Sequence, residues 1–220
     1  MKYALFSDIH GNFYAFEAMM NELASENIEG YLFCGDLTGY YYQAAKIVKI
    51  IKQLPNFYAV RGNHDQFLLD TSVNSTKQHT AEDIEIVEYI KSLPEVITMK
   101  IGNFNISMLH GSPKSPLSGR IYPDTVLNIE PLPYDFLFIG HTHYQMIRLY
   151  AENCRIVNPG SLGQPRDGKG FSYCIVDFIA GEVEYNCVNF DLSLLVTEIT
   201  EKNPENLYLF NVLKRGGNKF

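Results

Sequence analysis

Short apolar runs alternate with amphipathic stretches over the first 65 residues. The run "KYALFSD" precedes "NFYAFEAMMNELASENI", in which Phe13, Phe16, Met20 and Leu23 recur at helical spacing. The runs "GYLFCGD" and "NFYAVRGNHD", with "YYQAAKIVKIIKQL" between them, repeat this alternation of strand and helix. Strands separated by helices in this way predict βαβ units and a largely parallel sheet.

The pattern changes character after a further helix. Thr80 and Asp83 have the spacing of a capping box, and "AEDIEIVEYIKSL" predicts a helix that ends at Pro94. Strand-like runs with short connections then follow, as is typical of antiparallel or mixed sheet. They are "EVITMKI", "FNISMLHG", "DFLFIGH", "YQMIRLYA", "RIVNPGS", "FSYCIVDF" and "EVEYNCV". We therefore expect an α/β (α+β) protein in which a sheet sandwich has helices packed outside.

Two segments stand apart from this strand and helix pattern. Asn203 and Pro204 suit an N-cap and a first helical position, and "KRGG" places cations before glycine, so residues 204–215 are predicted to form a closing helix. The polar stretch "TSVNSTKQHT" predicts a mobile loop in which His79 is solvated.

Length, composition and charge narrow the classes of protein. A chain of 220 residues with 46% hydrophobic content fits one domain over residues 1–220, with a C-terminal helical extension over about 191–220. The net charge of −7 argues against an extended nucleic-acid surface, although a small phosphoester substrate is compatible with it. No run predicts a membrane span, and "MKYALFSDIHGN" lacks a secretory signal, so we expect a cytoplasmic protein. The oligomeric state stays open.

The four cysteines lie inside apolar, strand-like runs and show no CxxC spacing. They are Cys34, Cys154, Cys174 and Cys187. This placement predicts four buried thiols in preference to disulfides or zinc ligands.

Titratable or metal-compatible residues follow one apolar run after another. They are Asp8, His10, Asp36, Asn63, His64, Asp65, His110, His141 and His143. In open α/β sheets, ligands gather outside the carboxyl ends of strands. Taken alone, Asp8 with His10 could form a turn, and His141 with His143 a polar strand end. Together, the residues predict one cluster.

Carboxylate oxygens and imidazole nitrogens are ligands that suit Mn, Fe, Zn or Ni. The candidate ligands exceed one tetrahedral shell, so we expect two divalent ions that share a bridging carboxylate, and Asp36 has two acceptor oxygens for this role. Two imidazoles at alternate positions of an extended segment, His141 and His143, could each serve a different ion. Glycines beside these residues could let the main chain approach the ions, or they could be structural turn residues. They are Gly11, Gly35, Gly62, Gly111 and Gly140.

Five ordered blocks, "DIHGN", "GDLTG", "GNHD", "HG" and "GHTH", resemble the calcineurin-like metallophosphoesterase superfamily. The segment "NPGSLGQPRDG" is similar to its small prokaryotic phosphodiesterase branch, and the resemblance spans residues 3 to about 190. It implies a two-sheet αββα sandwich with a binuclear metal site at the strand ends, with Mn favoured over Fe, Zn or Ni. It also implies two ligand sets: Asp8, His10 and His143 on one ion, and Asn63, His110 and His141 on the other, with Asp36 between.

The resemblance also implies that His64 protonates the leaving group or stabilises the phosphoryl charge. Asp65 could orient His64 or cap a helix. Asn12 and Arg166 could reach the substrate phosphate, although Arg166 could instead form a surface ion pair. The segment Tyr40 to Tyr42 could stack on a substrate ring or simply pack.

One departure from the family pattern bears on the substrate. Protein phosphatases of the superfamily continue the second block as "GDxVDRG", whereas "GDLTGYY" has Gly39 and Tyr40 there. We therefore expect a metal-dependent phosphoesterase that hydrolyses phosphodiesters or other small phosphoesters through metal-activated hydroxide. The alternatives are a phosphomonoesterase or nucleotide phosphatase, and a non-catalytic metal-binding scaffold.

Overall fold

The strands and helices follow one another in the order that the hydrophobic pattern predicts, except for one additional helix that begins at Asn63. The computed structural model describes residues 1–72, 80–151 and 153–215. The strands are β1 (Lys2–Phe6), β2 (Ile28–Phe33), β3 (Phe57–Ala59), β4 (Val96–Ile101), β5 (Phe104–Leu109), β6 (Phe136–Phe138), β7 (Gln145–Tyr150), β8 (Cys154–Pro159), β9 (Ser172–Asp177) and β10 (Glu182–Cys187). The helices are α1 (Phe13–Leu23), α2 (Ala44–Ile51), α3 (Asn63–Ser72), α4 (Ala81–Ser92), α5 (Leu192–Lys202) and α6 (Leu207–Arg215).

Two mixed five-stranded sheets form the centre of the fold. The first has the order β10-β9-β1-β2-β3, in which β1, β2 and β3 are parallel and β9 runs antiparallel to β1. The second has the order β4-β5-β6-β8-β7, in which β5, β6 and β8 are parallel and the edge strands are antiparallel. The predicted two-sheet α/β sandwich is therefore confirmed.

Alternate residues of each strand point to different layers, because side chains in a strand alternate between its two faces. Leu5 of β1 shares a buried cluster between the sheets with Phe136 and Phe138 of β6. Its neighbour Phe6 belongs to a second cluster, which the helices cover with side chains such as Phe16. The first sheet thus has apolar packing on both faces.

The outer face of the second sheet is covered differently. Leu137, Ile139 and Ile156 pack there against Ile121 and partly buried neighbours from the preceding segment. That segment, residues 111–135, forms turns and one short bridge between Ser112 and Ser115.

The capping box that was predicted before α4 is present. The Thr80 hydroxyl accepts from the Asp83 backbone N–H at 3.1 Å, and the Asp83 carboxylate accepts from the Thr80 backbone N–H at 2.9 Å. The predicted mobile loop falls largely on residues 73–79, including His79, which lie outside the described residues. Thr71 and Ser72 at its beginning are helical and belong to α3, which the pattern did not predict.

The prediction of a helix from residue 204 was wrong about its start. Asn203 is the C-cap of α5, where its backbone N–H donates to Ile199, and α6 begins at Leu207. Proline commonly follows a C-cap because it has no N–H with which to continue the helix. The pair Asn203 and Pro204 therefore ends one helix and does not begin the next.

The cysteines follow the prediction with one exception. Cys34, Cys154 and Cys174 are buried free thiols, but Cys187 is exposed. Cys187 is the last residue of β10, an edge strand with no fully buried residue, so few neighbours surround its side chain. No helix in the described ranges is both long and apolar enough to cross a bilayer.

Phe136 lies in the apolar cluster between the sheets, where it is 1% exposed and stacks on Phe138. Its replacement by a small residue should leave a cavity. Phe136→Ala should lower the free energy of unfolding by about 3 to 5 kcal/mol, because lost burial and cavity formation add. Urea unfolding measures the change. Val126→Ala, at a side chain that is 90% exposed, should change it by less than about 0.5 kcal/mol. Equal effects of the two substitutions would contradict the assigned packing.

Candidate metal centre

The candidate site residues gather at one edge of the sandwich, where strands of both sheets end. Asp8 and His10 follow β1, Asp36 follows β2, and Asn63 and His64 begin α3 after β3; His110 follows β5, and His141 and His143 lie between β6 and β7. Because β1, β2 and β3 are parallel, their carboxyl ends lie side by side, and the second sheet supplies the remaining histidines from across the sandwich.

Three buried histidines have their Nδ1 atoms fixed by backbone carbonyl oxygens. The contacts are His10 to Thr38 at 2.9 Å, His110 to Cys34 at 2.7 Å and His143 to Gln164 at 2.6 Å. A carbonyl oxygen only accepts hydrogen bonds, so each Nδ1 carries the proton. In the neutral ring, Nε2 then keeps a lone pair that faces the cluster, as in metal-binding histidines.

The three Nε2 atoms converge on two carboxylate oxygens. Asp8 Oδ1 lies 3.1 Å from His143 Nε2, 3.8 Å from His10 Nε2 and 3.9 Å from His110 Nε2. Asp36 Oδ2 lies 3.3 Å from His110 Nε2 and 3.8 Å from His10 Nε2. Three groups of side chains therefore have the geometry to hold a cation: Asp8, His10 and His143; Asp8, Asp36 and His110; and His10, Asp36 and His64.

The nitrogen and oxygen atoms of these groups are arranged as a bound divalent metal would require. The Nε2 atoms of His10 and His143 are 3.2 Å apart, so their lone pairs face each other. Asp8 Oδ1 is buried and has no hydrogen-bond partner among the described residues. A cation between these atoms would satisfy the oxygen and both nitrogens together, and the donors are of the kind that transition metals prefer.

The electrostatics of the cluster also favour positive charge. Burial raises the pKa values of Asp8 and Asp36, but the neighbouring imidazoles outweigh it and hold the Asp8 pKa well below its usual range and that of Asp36 at about 2. Burial lowers the pKa of His10 to about 3. At His110 burial also lowers the pKa, but Asp36 and Asp8 raise it to about 10. Both carboxylates are therefore ionised at neutral pH.

Asn63 and His141 lie beside the second group. Asn63 Oδ1 is 3.1 Å from His110 Nε2, and the His141 ring centroid is 5.1 Å from that of His110. His141 Nε2 accepts from Arg120 Nε at 3.3 Å, and burial lowers the His141 pKa to about 4, which leaves the ring neutral. Arg120 was missed in the sequence, because it comes from the irregular segment 111–135, where no periodicity or motif marks it.

His64 borders the cluster on the side of α3. Its ring centroid lies 4.9 Å from that of His10 and 4.8 Å from that of Tyr40. Burial lowers the pKa of His64. The backbone N–H of His64 donates to Asp36 Oδ1 at 2.8 Å, so the start of α3 and the loop after β2 are joined through a candidate ligand.

Asp65 is buried and orders the loop that carries Asp36. Its two carboxylate oxygens accept from the backbone N–H groups of Asp36, Leu37, Thr38 and Gly62 and from the Thr38 hydroxyl, at 2.9 to 3.2 Å. Burial and the Asp36 carboxylate raise the pKa of Asp65 to about 6, against the effect of its backbone hydrogen bonds. Asp65 therefore ties α3 to the loop after β2.

The backbone is strained at most of the candidate ligands. Seven described non-glycine residues have positive φ, and five of them are Asp8 (54°), His10 (52°), Asp36 (61°), His141 (66°) and His143 (62°). Left-handed backbone at such residues costs about 1 to 3 kcal/mol each and persists where the surrounding structure enforces it. The alternate placement of His141 and His143 thus comes from left-handed residues and not from the extended segment that we expected.

Close approach of the main chain explains two of the predicted glycines. A Cβ atom on Gly62 would lie 2.1 Å from Asp36 Oδ1, and one on Gly140 would lie 2.7 Å from Asp8 Oδ2. Both glycines therefore let backbone pack directly against a candidate ligand.

Asn12 and Arg166, the two residues that could contact a substrate phosphate, have different surroundings. Asn12 is buried, caps α1 by accepting from the Ala15 N–H at 3.2 Å, and donates to the Leu162 carbonyl oxygen at 3.0 Å. Arg166 is half-buried, and its Nε is buried without a hydrogen-bond partner among the described residues. Arg166 lies near enough to Tyr40 to lower the pKa of that phenol, although burial and Tyr208 raise it to about 12.

A sandwich of two mixed sheets with a carboxylate and imidazole cluster at the strand ends defines a metal-binding α/β protein. Residues 1–181 match the calcineurin-like phosphoesterase superfamily domain. The chain belongs to this superfamily of phosphoester hydrolases, which confirms the resemblance seen in its motifs.

Three similar proteins illustrate the relationship. An uncharacterised protein of Methanocaldococcus jannaschii is 29% identical over 229 residues, which cover 92% of this chain and 93% of that protein. The crystal structure of a metallophosphoesterase from Sphaerobacter thermophilus has a TM-score of 0.77 and 26% identity, and the match covers 98% of this chain and 99% of that one. A novel archaeal phosphodiesterase has a TM-score of 0.54 and 20% identity over 84% of this chain and 99% of its own, a likeness of fold.

The hydrogen bonds of Asp65 predict that its removal destabilises the site and the fold together. Asp65→Ala should lower the free energy of unfolding by more than about 2 kcal/mol, because several buried donors lose their acceptor. It should also reduce bound metal, because the Asp36 loop loses its support. Chemical unfolding and metal analysis of the purified variant measure the two effects. Asp124→Ala, at an exposed carboxylate, is the control, and an equally mild result for both variants would argue against this role of Asp65.

Proposed function

We propose that the protein hydrolyses small phosphodiesters with the aid of two divalent metal ions, for which Mn is the first choice and Fe, Zn or Ni are alternatives. The observation that carries this proposal is the convergence of three Nε2 atoms on the buried, unpartnered Asp8 Oδ1. One ion would be held by Asp8, His10 and His143, and the other by Asn63, His110 and His141, with Asp36 shared.

The position of Asp36 supports a shared role. Its Oδ2 atom reaches His110 of one set and His10 of the other, at 3.3 and 3.8 Å. Its Oδ1 atom is fixed by the His64 backbone N–H, so the carboxylate cannot turn away from the centre without losing that bond. Asp8 Oδ1 lies between the same imidazoles, which explains why two acidic residues are buried together here.

When bound, a pair of divalent ions supplies a water of lowered pKa and stabilises charge on phosphoryl oxygens. His64 lies beside the centre in half-buried surroundings, with its ring 4.9 Å from that of His10, a position that suits a group that donates a proton to the leaving oxygen. The unpartnered Nε of Arg166 suits an interaction with a phosphoryl oxygen. Tyr40 packs on His10 and His64 and limits the movement of both rings.

The preference for diesters follows from the loop after the second motif block. Gly39 and Tyr40 occupy positions where the protein phosphatases of the superfamily carry an acid and an arginine. At these positions the chain therefore has neither the acid that supports the catalytic histidine nor the arginine that clamps phosphate in those enzymes, and the similar archaeal protein is described as a phosphodiesterase.

Metal and activity should respond separately to two substitutions. Asp36→Asn should lose bound metal, whereas His64→Ala should keep metal and lose diester turnover by about 100- to 10,000-fold, as for a removed general acid. The measurements are metal content and hydrolysis of bis(p-nitrophenyl) phosphate and p-nitrophenyl phosphate with Mn. Asp124→Asn, at an exposed carboxylate, is the control.

The outcomes distinguish the proposed function from its alternatives. Faster turnover of the monoester at matched concentration would favour a phosphomonoesterase. Wild-type protein that binds metal and hydrolyses neither ester would favour a non-catalytic scaffold.

Arg166 is predicted to contribute binding of the phosphoryl group. Arg166→Ala should lower kcat/KM by at least about tenfold, since a hydrogen bond to a charged group contributes about 1.5 to 3 kcal/mol. Arg166→Lys should recover part of the loss, and added guanidinium ion should rescue the alanine variant. If kcat/KM stays at the wild-type level in Arg166→Ala, the side chain forms only a surface contact.

A further inference from the structure

A cleft of about 610 Å³ opens beside the metal centre, between the loop after β2 and helix α3. This volume is in the range of small-molecule sites in proteins. Its lining includes Gly39, Asn63, His64, Phe67, Leu68 and Thr71. Two of these residues, Asn63 and His64, also belong to the candidate metal centre, so the cleft and the centre are continuous.

The wall that faces away from the centre is apolar. On α3, the residues three, four and seven positions after His64 are Phe67, Leu68 and Thr71, so all four side chains share one face of the helix. The Phe67 side chain is 67% exposed. A phenyl ring in this position gains little of the free energy that full burial would give it. Phe67 therefore offers an exposed aromatic face beside the polar centre, on which a flat ligand ring can stack.

The charge of the cleft limits what it binds. Its described lining residues include no Lys, Arg, Asp or Glu side chain. A phosphate, a sugar phosphate or an acidic peptide would find no counter-ion there. The lining therefore fits an uncharged group attached to a phosphate that lies at the metal centre.

The proposed role of His64 as the proton donor indicates which ester group the cleft binds. Hydrolysis forms a bond from the water oxygen to phosphorus and breaks the bond from phosphorus to the leaving oxygen. The leaving oxygen accepts a proton from His64 and departs as an alcohol, and the proton lost by the attacking water balances the step. The leaving group must therefore extend past His64, which is the direction of the cleft.

Gly39 keeps this path open. Its φ of 137° is in the region that favours glycine, and a Cβ atom there would lie 2.9 Å from His64 Nδ1 and 2.8 Å from His10 Nδ1. Any side chain at this position would press on both imidazoles at the point where the cleft meets the centre.

We propose that this cleft binds the leaving group of the phosphodiester as an uncharged, flat aromatic ring, either an aryl group or a nucleobase, stacked on Phe67. This inference rests on the proposed function and specifies its substrate class. Stacking of a base or an aryl ring on an aromatic side chain tolerates many ring types, so one surface accommodates both sources.

The test uses diesters that share a methyl group and differ in the leaving group: phenyl methyl phosphate, cyclohexyl methyl phosphate and the methyl phosphodiester of adenosine. For each protein the ratio of kcat/KM between aromatic and cyclohexyl substrates is measured with Mn. Comparing this ratio between wild type and variant cancels the intrinsic reactivity of each ester. Calorimetric dissociation constants of benzyl(methyl)phosphinate and (cyclohexylmethyl)(methyl)phosphinate, in which P–C bonds replace both ester bonds so that neither compound can be hydrolysed, give a readout that does not depend on turnover.

Three variants separate the effects. Phe67→Ala should lower the aromatic preference at least fivefold in both readouts, because the stacking surface is removed. Phe67→Leu keeps an apolar side chain without a flat ring, so it should lower the same preference while retaining affinity for the cyclohexyl compound. Val126→Ala, at another exposed apolar residue, should leave the ratio unchanged. Phe67 is exposed, so these substitutions should leave the fold intact.

The outcomes of this test are distinguishable from failure of the proposed function. If wild type hydrolyses the diesters but Phe67→Ala keeps the full aromatic preference, the leaving-group site is wrong and the phosphodiesterase assignment stands. If wild type hydrolyses none of them, the proposed function fails first. A loss confined to the phenyl ester assigns the site to aryl groups, and a loss confined to the adenosine ester assigns it to nucleobases.

Discussion

Two buried carboxylates, Asp8 and Asp36, at the ends of adjacent parallel strands are the constraint on which the rest of the site depends. Ionised groups in a protein interior are costly unless positive charge or hydrogen-bond donors surround them. Imidazole nitrogens on three sides, the His64 and His141 backbone N–H groups and a cation would meet this requirement together. Bringing the carboxylates and imidazoles into one small volume requires left-handed backbone at most candidate ligands. It also requires glycines beside them, where a side chain would not fit.

The sandwich brings together residues that lie far apart in the chain. The first sheet supplies Asp8, His10 and Asp36, and the second supplies His110, His141 and His143 from across the apolar layer. A centre divided in this way forms only when the two sheets pack. The stability of the inter-sheet core and the geometry of the centre are therefore coupled.

Periodicity predicted the strands well because their apolar alternation is strong, and it predicted α4 because Thr80 and Asp83 mark its start. Helix α3 was missed because its one fully buried residue is Asp65, so the buried face carries a charge and shows no apolar repeat. The candidate ligands were identifiable because each follows a strand, where short motifs stand out. Arg120 and the cleft at Phe67 depend on three-dimensional proximity between separate segments, which no local pattern records.

The C-terminal helices add a contact that the superfamily match, which ends at residue 181, does not include. Tyr42 accepts from Asn203 at 2.6 Å, Gln43 donates to Glu198 at 2.8 Å, and the Tyr40 ring lies 5.9 Å from that of Tyr208. Tyr40 in turn packs on His10 and His64, so α5 and α6 support the loop that borders the metal centre. The superfamily region thus contains the residues proposed for the chemistry, while the segment beyond it helps to fix the position of the Tyr40 ring.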